Sequence, residues 1–173
     1  MEGSLKMINA LLNIFLEKRK EIKEKYNRVL PLGDCVSDRW EKAEFLGFGK
    51  GSSVYDNVLV LGDVSVGEKT WIGPNVILDG SGGLVIGAFC SISAGVQIYS
   101  HDSVQWAVSA GTQDYKYDKT IIGNNCFIGP NVIIQKGVQV GNQCIIGANS
   151  FVNKDIPDGC KAYGTPAVII EEK

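Results

Sequence analysis

Histidine is the scarcest reactive side chain in this sequence, because its 173 residues include only one, His101. A metal site built from several imidazole ligands is therefore excluded. The five cysteines are an odd number and form no Cys-x-x-Cys pair, which argues against a disulfide framework and against a zinc site. We expect no bound metal.

Neither sign of charge dominates the chain, whose formal net charge is −2. Such a charge gives no general attraction to nucleic acid or to an anionic membrane, and neither is expected as a partner. The apolar stretch 8–16 is interrupted by Asn9 and Asn13, is too short to span a bilayer and precedes no small-residue cleavage site. The sequence therefore predicts a cytoplasmic protein with reduced thiols.

Glycine is abundant, with 21 residues spaced along the chain. When the chain is written in sixes from residue 60, every hexad begins with an aliphatic residue: Val60, Val66, Ile72, Leu78, Ile86, Ile92, Ile98, Ile122, Ile128, Ile134, Val140, Ile146 and Val152. A period of six fits neither an amphipathic helix nor an alternating strand. It predicts a solenoid in which three hexads form one triangular coil and the aliphatic side chains stack inside.

Two interruptions break the repeat. Eight residues separate Leu78 from Ile86, with a small bulge predicted at Gly80, Gly82 and Gly83. Residues 99–120 lack the pattern altogether, which predicts a loop at about 102–120 that leaves the coil near His101. Long insertions in a regular scaffold are usually functional.

The segment before the repeat divides the chain into a capping part, 1–56, and a solenoid part, 57–170. Residues of about 4–27 carry the pattern of an amphipathic helix. We expect this helix to cap the open end of the solenoid, the alternative being a partner-binding helix. Residues 31–58 are predicted to be irregular, with four aromatic residues covering the first coil: Trp40, Phe45, Phe48 and Tyr55.

The repeat, the loop with its histidine, and the segments 146–157 (IGANSFVNKDIP) and 164–167 (GTPA) resemble the hexapeptide-repeat acetyltransferases. The branch most similar is that of the galactoside and maltose O-acetyltransferases and the sugar acetyltransferases of bacterial polysaccharide pathways. The resemblance implies a mainly β fold, a left-handed parallel β-helix with an N-terminal α-helix and an ejected loop. It also implies a homotrimer, with acetyl-CoA as co-substrate in the groove between neighbouring subunits.

The resemblance assigns six residues to coenzyme binding: Phe127, Gly129, Gly147, Ala148, Asn153 and Lys154. Phe127 replaces the tryptophan that many galactoside-type enzymes have there. The arginine often found shortly after the Gly-x-Pro turn is absent, since Val168 occupies its place. The coenzyme 3′-phosphate would then be bound by Lys154 or Lys161 instead.

The resemblance also implies that His101, at the start of the loop, is the catalytic base. Imidazole suits this role because it changes charge near neutral pH. A carboxylate is expected to orient the ring, and the candidates are Asp79 and Asp102, of which Asp79 is slightly preferred because it lies beside the glycine bulge. Asp102 fits equally well as a turn residue.

The predicted reaction is acetyl transfer to a sugar hydroxyl. The alternative is N-acetylation of the amino group of a nucleotide-linked amino sugar. Asn75 is predicted either to bind the acceptor or to form a turn, and Trp106, with Tyr115 and Tyr117, either to stack on a sugar ring or to pack against a neighbouring subunit. Inward cysteines are expected to be core residues: Cys90, Cys126 and Cys144.

Three other classes of protein are disfavoured by the same residues. A γ-type carbonic anhydrase needs three histidines, and this chain has one. Serine acetyltransferases carry a second histidine near the catalytic one and a larger helical N-terminal domain. A non-enzymatic scaffold would have no reason to keep a lone histidine at the mouth of the loop.

Overall fold

The computed structural model describes residues 2–170, so Met1 of the capping part lies outside the described residues. The helices are α1 (Glu2–Tyr26), α2 (Leu32–Val36), α3 (Arg39–Phe45) and α4 (Val104–Val108). Asp38 begins α3 as an N-cap, because its carboxylate accepts hydrogen bonds from the amides of Trp40 and Glu41.

Short strands make up the rest of the regular structure. They are β1 (Ser53–Val54), β2 (Leu59–Val66), β3 (Trp71–Ile72), β4 (Ile77–Ile86), β5 (Ser91–Ile92), β6 (Gln97–Ile98), β7 (His101–Asp102), β8 (Lys116–Tyr117), β9 (Thr120–Ile122), β10 (Phe127–Ile128), β11 (Ile133–Ile134), β12 (Gln139–Val140), β13 (Ile145–Ile146), β14 (Phe151–Val152), β15 (Lys161–Gly164) and β16 (Ala167–Ile170).

The strands form the three faces of a prism. Face A is built from β1, β3, β5, β10, β13 and β15, with β16 antiparallel to β15 at its end. Face B contains the first residues of β2 and β4, then β6, β11 and β14. Face C contains the last residues of β2 and β4, then β9 and β12. The chain passes from A to B to C in every coil, so the structure confirms the predicted parallel β-helix.

The core is a column of aliphatic side chains inside the prism. Ile128 pairs with Ile146 and Ile134 with Val152, so residues 18 positions apart lie one above the other. Every hexad-initial residue is buried except Val60, which is half-buried against the same cluster. The three inward cysteines are buried as predicted: Cys90, Cys126 and Cys144. Stacking on equivalent residues above and below lets a narrow prism exclude water.

The N-terminal helix is present, but its predicted capping role is wrong. α1 packs against α2 and leaves most of its apolar residues exposed, among them Leu5 at 60% and Ile8 at 55%. The first coil is covered by α3 and the residues after it, since Ala43 and Phe48 belong to the core cluster. An apolar stripe on a helix shows that the helix can be buried, but it does not identify what buries it.

Residues 31–58 contain two short helices, α2 and α3, where an irregular segment was predicted. Of the four aromatic residues expected to cover the first coil, Phe48 is buried and Tyr55 packs against the core. Trp40 and Phe45 are exposed, Phe45 by 84%, so this part of the prediction is wrong. Among residues 2–170, no helix combines the length and apolar character needed to cross a membrane.

Candidate active site

The ejected loop leaves and re-enters the prism at the edge between faces B and C. Its base is a short antiparallel hairpin of β7 and β8, in which His101 pairs with Tyr117. The amide of Asp118 donates to the carbonyl of Ser100 at 2.9 Å, and the hydroxyl of Thr120 donates to the carbonyl of Tyr99 at 2.7 Å. These bonds hold the two ends of the loop together at the edge.

Asp79 and His101 form the central contact of this edge. Asp79 Oδ2 lies 2.5 Å from His101 Nδ1 and also accepts from the amide of Ser100 at 3.0 Å. Its other oxygen accepts from the hydroxyl and the amide of Ser81, at 2.5 and 3.0 Å. The structure therefore brings Asp79 to the histidine ring from one coil away.

Asp79 is ionised in this environment. Burial of its side chain disfavours the charged form, but hydrogen bonds from Ser81, from the Ser100 amide and from His101 outweigh burial and lower the pKa of Asp79 to about 2. An ionised carboxylate can only accept, so His101 donates its Nδ1 hydrogen to Asp79. In the neutral ring Nε2 therefore carries the lone pair, on a side chain that is 29% exposed.

The two extra residues between Leu78 and Ile86 make room for this contact. A Cβ at Gly80 would lie 2.2 Å from the carbonyl oxygen of Asp63, and one at Gly82 would lie 2.3 Å from that of Ser100. Only glycine allows the backbone to approach so closely on both sides of Ser81. The bulge thus places Asp79 between Ser81 and the start of the loop.

Aromatic side chains of the loop surround His101. The rings of Tyr115 and Tyr117 stack on the imidazole with centroid distances of 6.3 and 5.9 Å. Trp106 meets Tyr115 edge-on at 5.7 Å. A cavity of about 580 Å³ is lined by Trp106, Tyr115, Tyr117 and Asp114, a carboxylate that the sequence analysis did not single out. This cavity is an open aromatic site beside the imidazole.

Asp102, the other candidate carboxylate, does not orient the ring. It accepts from the amide of Val104 at 2.9 Å and lies 3.6 Å from the ammonium group of Lys136. Lys136 also forms an ion pair with Asp118, at the other end of the loop. Sequence analysis missed Lys136, although its spacing of 18 residues from Asp118 is that of one coil. Lys136 therefore ties the two ends of the loop to the next coil.

The six predicted coenzyme-binding residues fall on two different parts of the prism. Phe127 points outward on face A, and Gly129, Gly147 and Ala148 follow face A at the edge towards face B. Asn153 and Lys154 lie instead at the edge between faces B and C, where with Lys119 and Lys136 they line a cavity of about 450 Å³. One chain alone therefore does not bring the six residues together.

Asn75 lies at the edge between faces A and B, which is not the edge of His101. It adopts a left-handed conformation with φ of +58°. Its amide and side chain bond to the side chain of Asn57 in the previous coil, at 3.1 and 2.7 Å. These features are those of a turn residue, and the structure does not place Asn75 beside the imidazole of its own chain.

No group of three or more His, Cys, Asp or Glu side chains that could hold a metal ion occurs within residues 2–170. The chemistry available at the candidate site is that of an imidazole oriented by a carboxylate, with an aromatic cavity next to it. Such a pair can take a proton from a hydroxyl and return it to a leaving group.

A family model and several solved structures are similar to this chain. The family model described as bacterial transferase hexapeptide (six repeats) matches residues 119–154. The hexapeptide-repeat containing acetyltransferase VCA0836 from Vibrio cholerae is 26% identical, with a TM-score of 0.65 over 99% of this chain and 98% of that one. A structure of VCA0836 complexed with acetyl-CoA matches with a TM-score of 0.64, also at 26% identity, over 95% and 88% of the two chains.

AntD from Bacillus cereus, an N-acyltransferase in complex with dTDP and 3-hydroxybutyryl-CoA, has a TM-score of 0.65. It is 23% identical over 72% of this chain and 70% of that one, a likeness that shows the fold alone. None of the curated protein sequences matches this chain.

Proposed function

We propose that this chain, an acyltransferase of the hexapeptide-repeat type, transfers an acetyl group from acetyl-CoA to a sugar hydroxyl with His101 as the general base. The observation that carries the proposal is the contact of 2.5 Å between His101 Nδ1 and the ionised Asp79, since it leaves Nε2 free to accept a proton. The aromatic cavity beside the imidazole supplies a surface on which a sugar ring can stack.

The proposed reaction is a direct transfer. Nε2 of His101 takes the proton of the acceptor hydroxyl, while the hydroxyl oxygen attacks the thioester carbonyl of acetyl-CoA. The tetrahedral intermediate then collapses, the carbon–sulfur bond breaks, and the imidazolium returns its proton to the departing thiolate. Asp79 holds the ring in the required tautomer and stabilises the imidazolium through its negative charge.

We further propose that the chain acts as a homotrimer with acetyl-CoA between neighbouring subunits. Two observations support this assembly. The predicted coenzyme-binding residues lie on separate parts of one prism, so a groove between two copies would unite them. Large apolar residues also point outward from the sheets, including Ile145 on face A and Leu59 and Ile133 on face B. Consumption of acetyl-CoA agrees with the cytoplasmic location predicted from the sequence.

N-acetylation of a nucleotide-linked amino sugar is the second candidate function. Asp114 favours it, because this carboxylate lines the aromatic cavity and would attract the ammonium form of an amino sugar. An amine needs less help from a base than a hydroxyl does, so the two functions differ in how strongly they depend on His101.

The test is acetyl-CoA-dependent thiol release by wild type and His101→Ala, with sugars, amino sugars and their nucleotide-linked forms as acceptors. For a hydroxyl acceptor we expect kcat to fall about 10²–10⁴-fold while coenzyme binding persists. Gln113→Ala, an exposed change in the same loop, is the matched control and should leave kcat unchanged. A variant lacking the imidazole that turns over like wild type would refute the proposed base. Activity with amine acceptors alone, and only a small loss of kcat in His101→Ala, would favour N-acetylation.

A further inference from the structure

Arginine and tryptophan are concentrated in one groove of this molecule. The whole chain has three arginines, Arg19, Arg28 and Arg39, and three tryptophans. Two of each line a single cavity of about 520 Å³ on face A, near the N-terminal end of the prism. Its principal side chains, called here the arginine groove, are Arg28, Arg39, Trp40, Tyr55, Trp71 and Ser91. The volume is that of a small-molecule site.

The floor of the arginine groove is the outer surface of three neighbouring strands. Ser53, Trp71 and Ser91 are in register on β1, β3 and β5, so the indole lies between two hydroxyl groups. Trp71 is 65% exposed, so much of its indole is uncovered.

The wall of the arginine groove is positively charged. Arg39 extends its guanidinium over Tyr55 at 4.5 Å and over Trp40 at 5.0 Å. Neither Arg28 nor Arg39 forms an ion pair with any residue of the described part of the chain. Two uncompensated guanidinium groups thus lie beside exposed aromatic rings.

The carboxylates of the adjoining cavity form no ion pair with this wall among the described residues. That cavity shares Arg28, Arg39 and Trp40 with the arginine groove and is also lined by Asp34 and Asp38. Asp38 accepts from two amides of α3, and the buried Asp34 accepts from the amide of Asp56 at 2.8 Å. Because both carboxylates accept hydrogen bonds from backbone amides, the N–H groups of Arg28 and Arg39 are available to bind a ligand.

We infer that the arginine groove binds a nucleoside diphosphate group. Guanidinium groups bind phosphate oxygens through paired hydrogen bonds, and a planar base stacks on an indole. The hydroxyl of Ser91, which is only half-buried, can bond to a ribose or to a base edge. This inference rests on the proposed function, including the homotrimer, and identifies the acceptor as a sugar carried on a nucleotide. Because the groove lies on face A and His101 at the edge between faces B and C, the sugar would reach the imidazole of a neighbouring subunit.

The coenzyme has a similar chemical group, so the source of the nucleotide must be distinguished. The residues assigned to acetyl-CoA from the resemblance lie in the later coils, from Phe127 to Lys154. The arginine groove is built from the N-terminal segment and the first three strands of face A. The two sets adjoin on face A, however, where Ser91 pairs with Phe127. Separate titrations with nucleoside diphosphates and with CoA therefore distinguish the nucleotide of the acceptor from that of the coenzyme.

The test is tryptophan fluorescence in a Trp106→Phe background, where Trp40 and Trp71 of the arginine groove are the remaining reporters. UDP, dTDP, ADP and CoA are titrated separately. We expect saturable quenching by at least one nucleoside diphosphate, and a dissociation constant raised about tenfold or more by Arg28→Ala and by Arg39→Ala. Arg28 is exposed, so its replacement does not threaten folding.

Arg19→Ala is the matched control, because Arg19 stacks on Phe15 of α1 and does not line the groove. It should leave the dissociation constant unchanged. The inference is overturned if no nucleoside diphosphate quenches, if the groove variants bind as well as the control, or if only CoA binds there. If the Trp106→Phe protein binds no nucleoside diphosphate while the wild type still releases thiol from acetyl-CoA with a sugar acceptor, this inference alone is rejected. Intact nucleotide binding without acetyl transfer would reject the proposed function alone.

Discussion

Replacement of Asp79 by asparagine isolates the role of the buried carboxylate. The two side chains have nearly the same shape, and the amide oxygen introduced by Asp79→Asn can still accept from Ser81. The amide nitrogen, in contrast, would face His101 Nδ1 as a donor. The ring would then carry its hydrogen on Nε2, where no lone pair would remain to accept a proton.

Two magnitudes follow from the geometry. Loss of the correct tautomer should lower kcat by about 10²–10⁴-fold, the usual span for a general base. The pKa of Asp79 is lowered from 3.8 to about 2, which corresponds to about 2 kcal/mol of folding free energy. Because the native pKa is the lower one, this stabilisation is present above pH 3.8 and is lost as the pH falls towards 2.

The assays are thiol release at neutral pH and chemical denaturation from pH 7 down to pH 2. Asp79→Asn should be about 2 kcal/mol less stable at pH 7, with the difference shrinking as the acid form of wild-type Asp79 appears. Asp102→Asn is the matched control and should retain kcat within about threefold, because Asp102 does not touch the ring. Full activity of Asp79→Asn, or a loss confined to Asp102→Asn, would refute the assignment.

Two further predictions concern the loop and the core. Lys136→Met removes the cation between Asp102 and Asp118. We therefore expect faster limited proteolysis within the loop and a kcat about tenfold lower. Unchanged proteolysis would contradict the proposal that Lys136 holds the two loop ends together. Ile134→Ala should lower the free energy of unfolding by about 2–5 kcal/mol in urea denaturation, because the side chain is fully buried. Gln135→Ala, an exposed change next to it, should lower the free energy of unfolding by less than about 0.5 kcal/mol. Equal losses for the two variants would argue against the stacked core.

The core and the position of the loop could be predicted because both follow from a local rule. Each hexad repeats the same burial requirement, so a break in the pattern at residue 99 identifies where the chain leaves the coil. The two-residue excess before Ile86 likewise identified the glycine bulge. Sequence alone preferred Asp79 only slightly over Asp102, because both lie near the loop and only the bulge geometry brings one to the ring.

Contacts between segments outside the hexad repeat could not be predicted from the repeat. The apolar pattern of α1 gave its helical state correctly, but its packing depends on where the chain turns after Tyr26. The pairing of Lys136 with Asp118 was in principle readable from the coil length, whereas the meeting of Arg28 and Arg39 with Trp71 was not. The arginines belong to a non-repetitive segment whose path has no period.

The prism tolerates the ejected loop without any change in its pairing. Ile86 pairs with Ile122 and Ile92 with Ile128, so each bond to the next coil simply spans 36 residues instead of 18. The excursion interrupts the stack at one corner only. Evolution can therefore lengthen, shorten or exchange the ejected loop to suit a new acceptor, while the prism that holds the imidazole and its carboxylate stays unchanged.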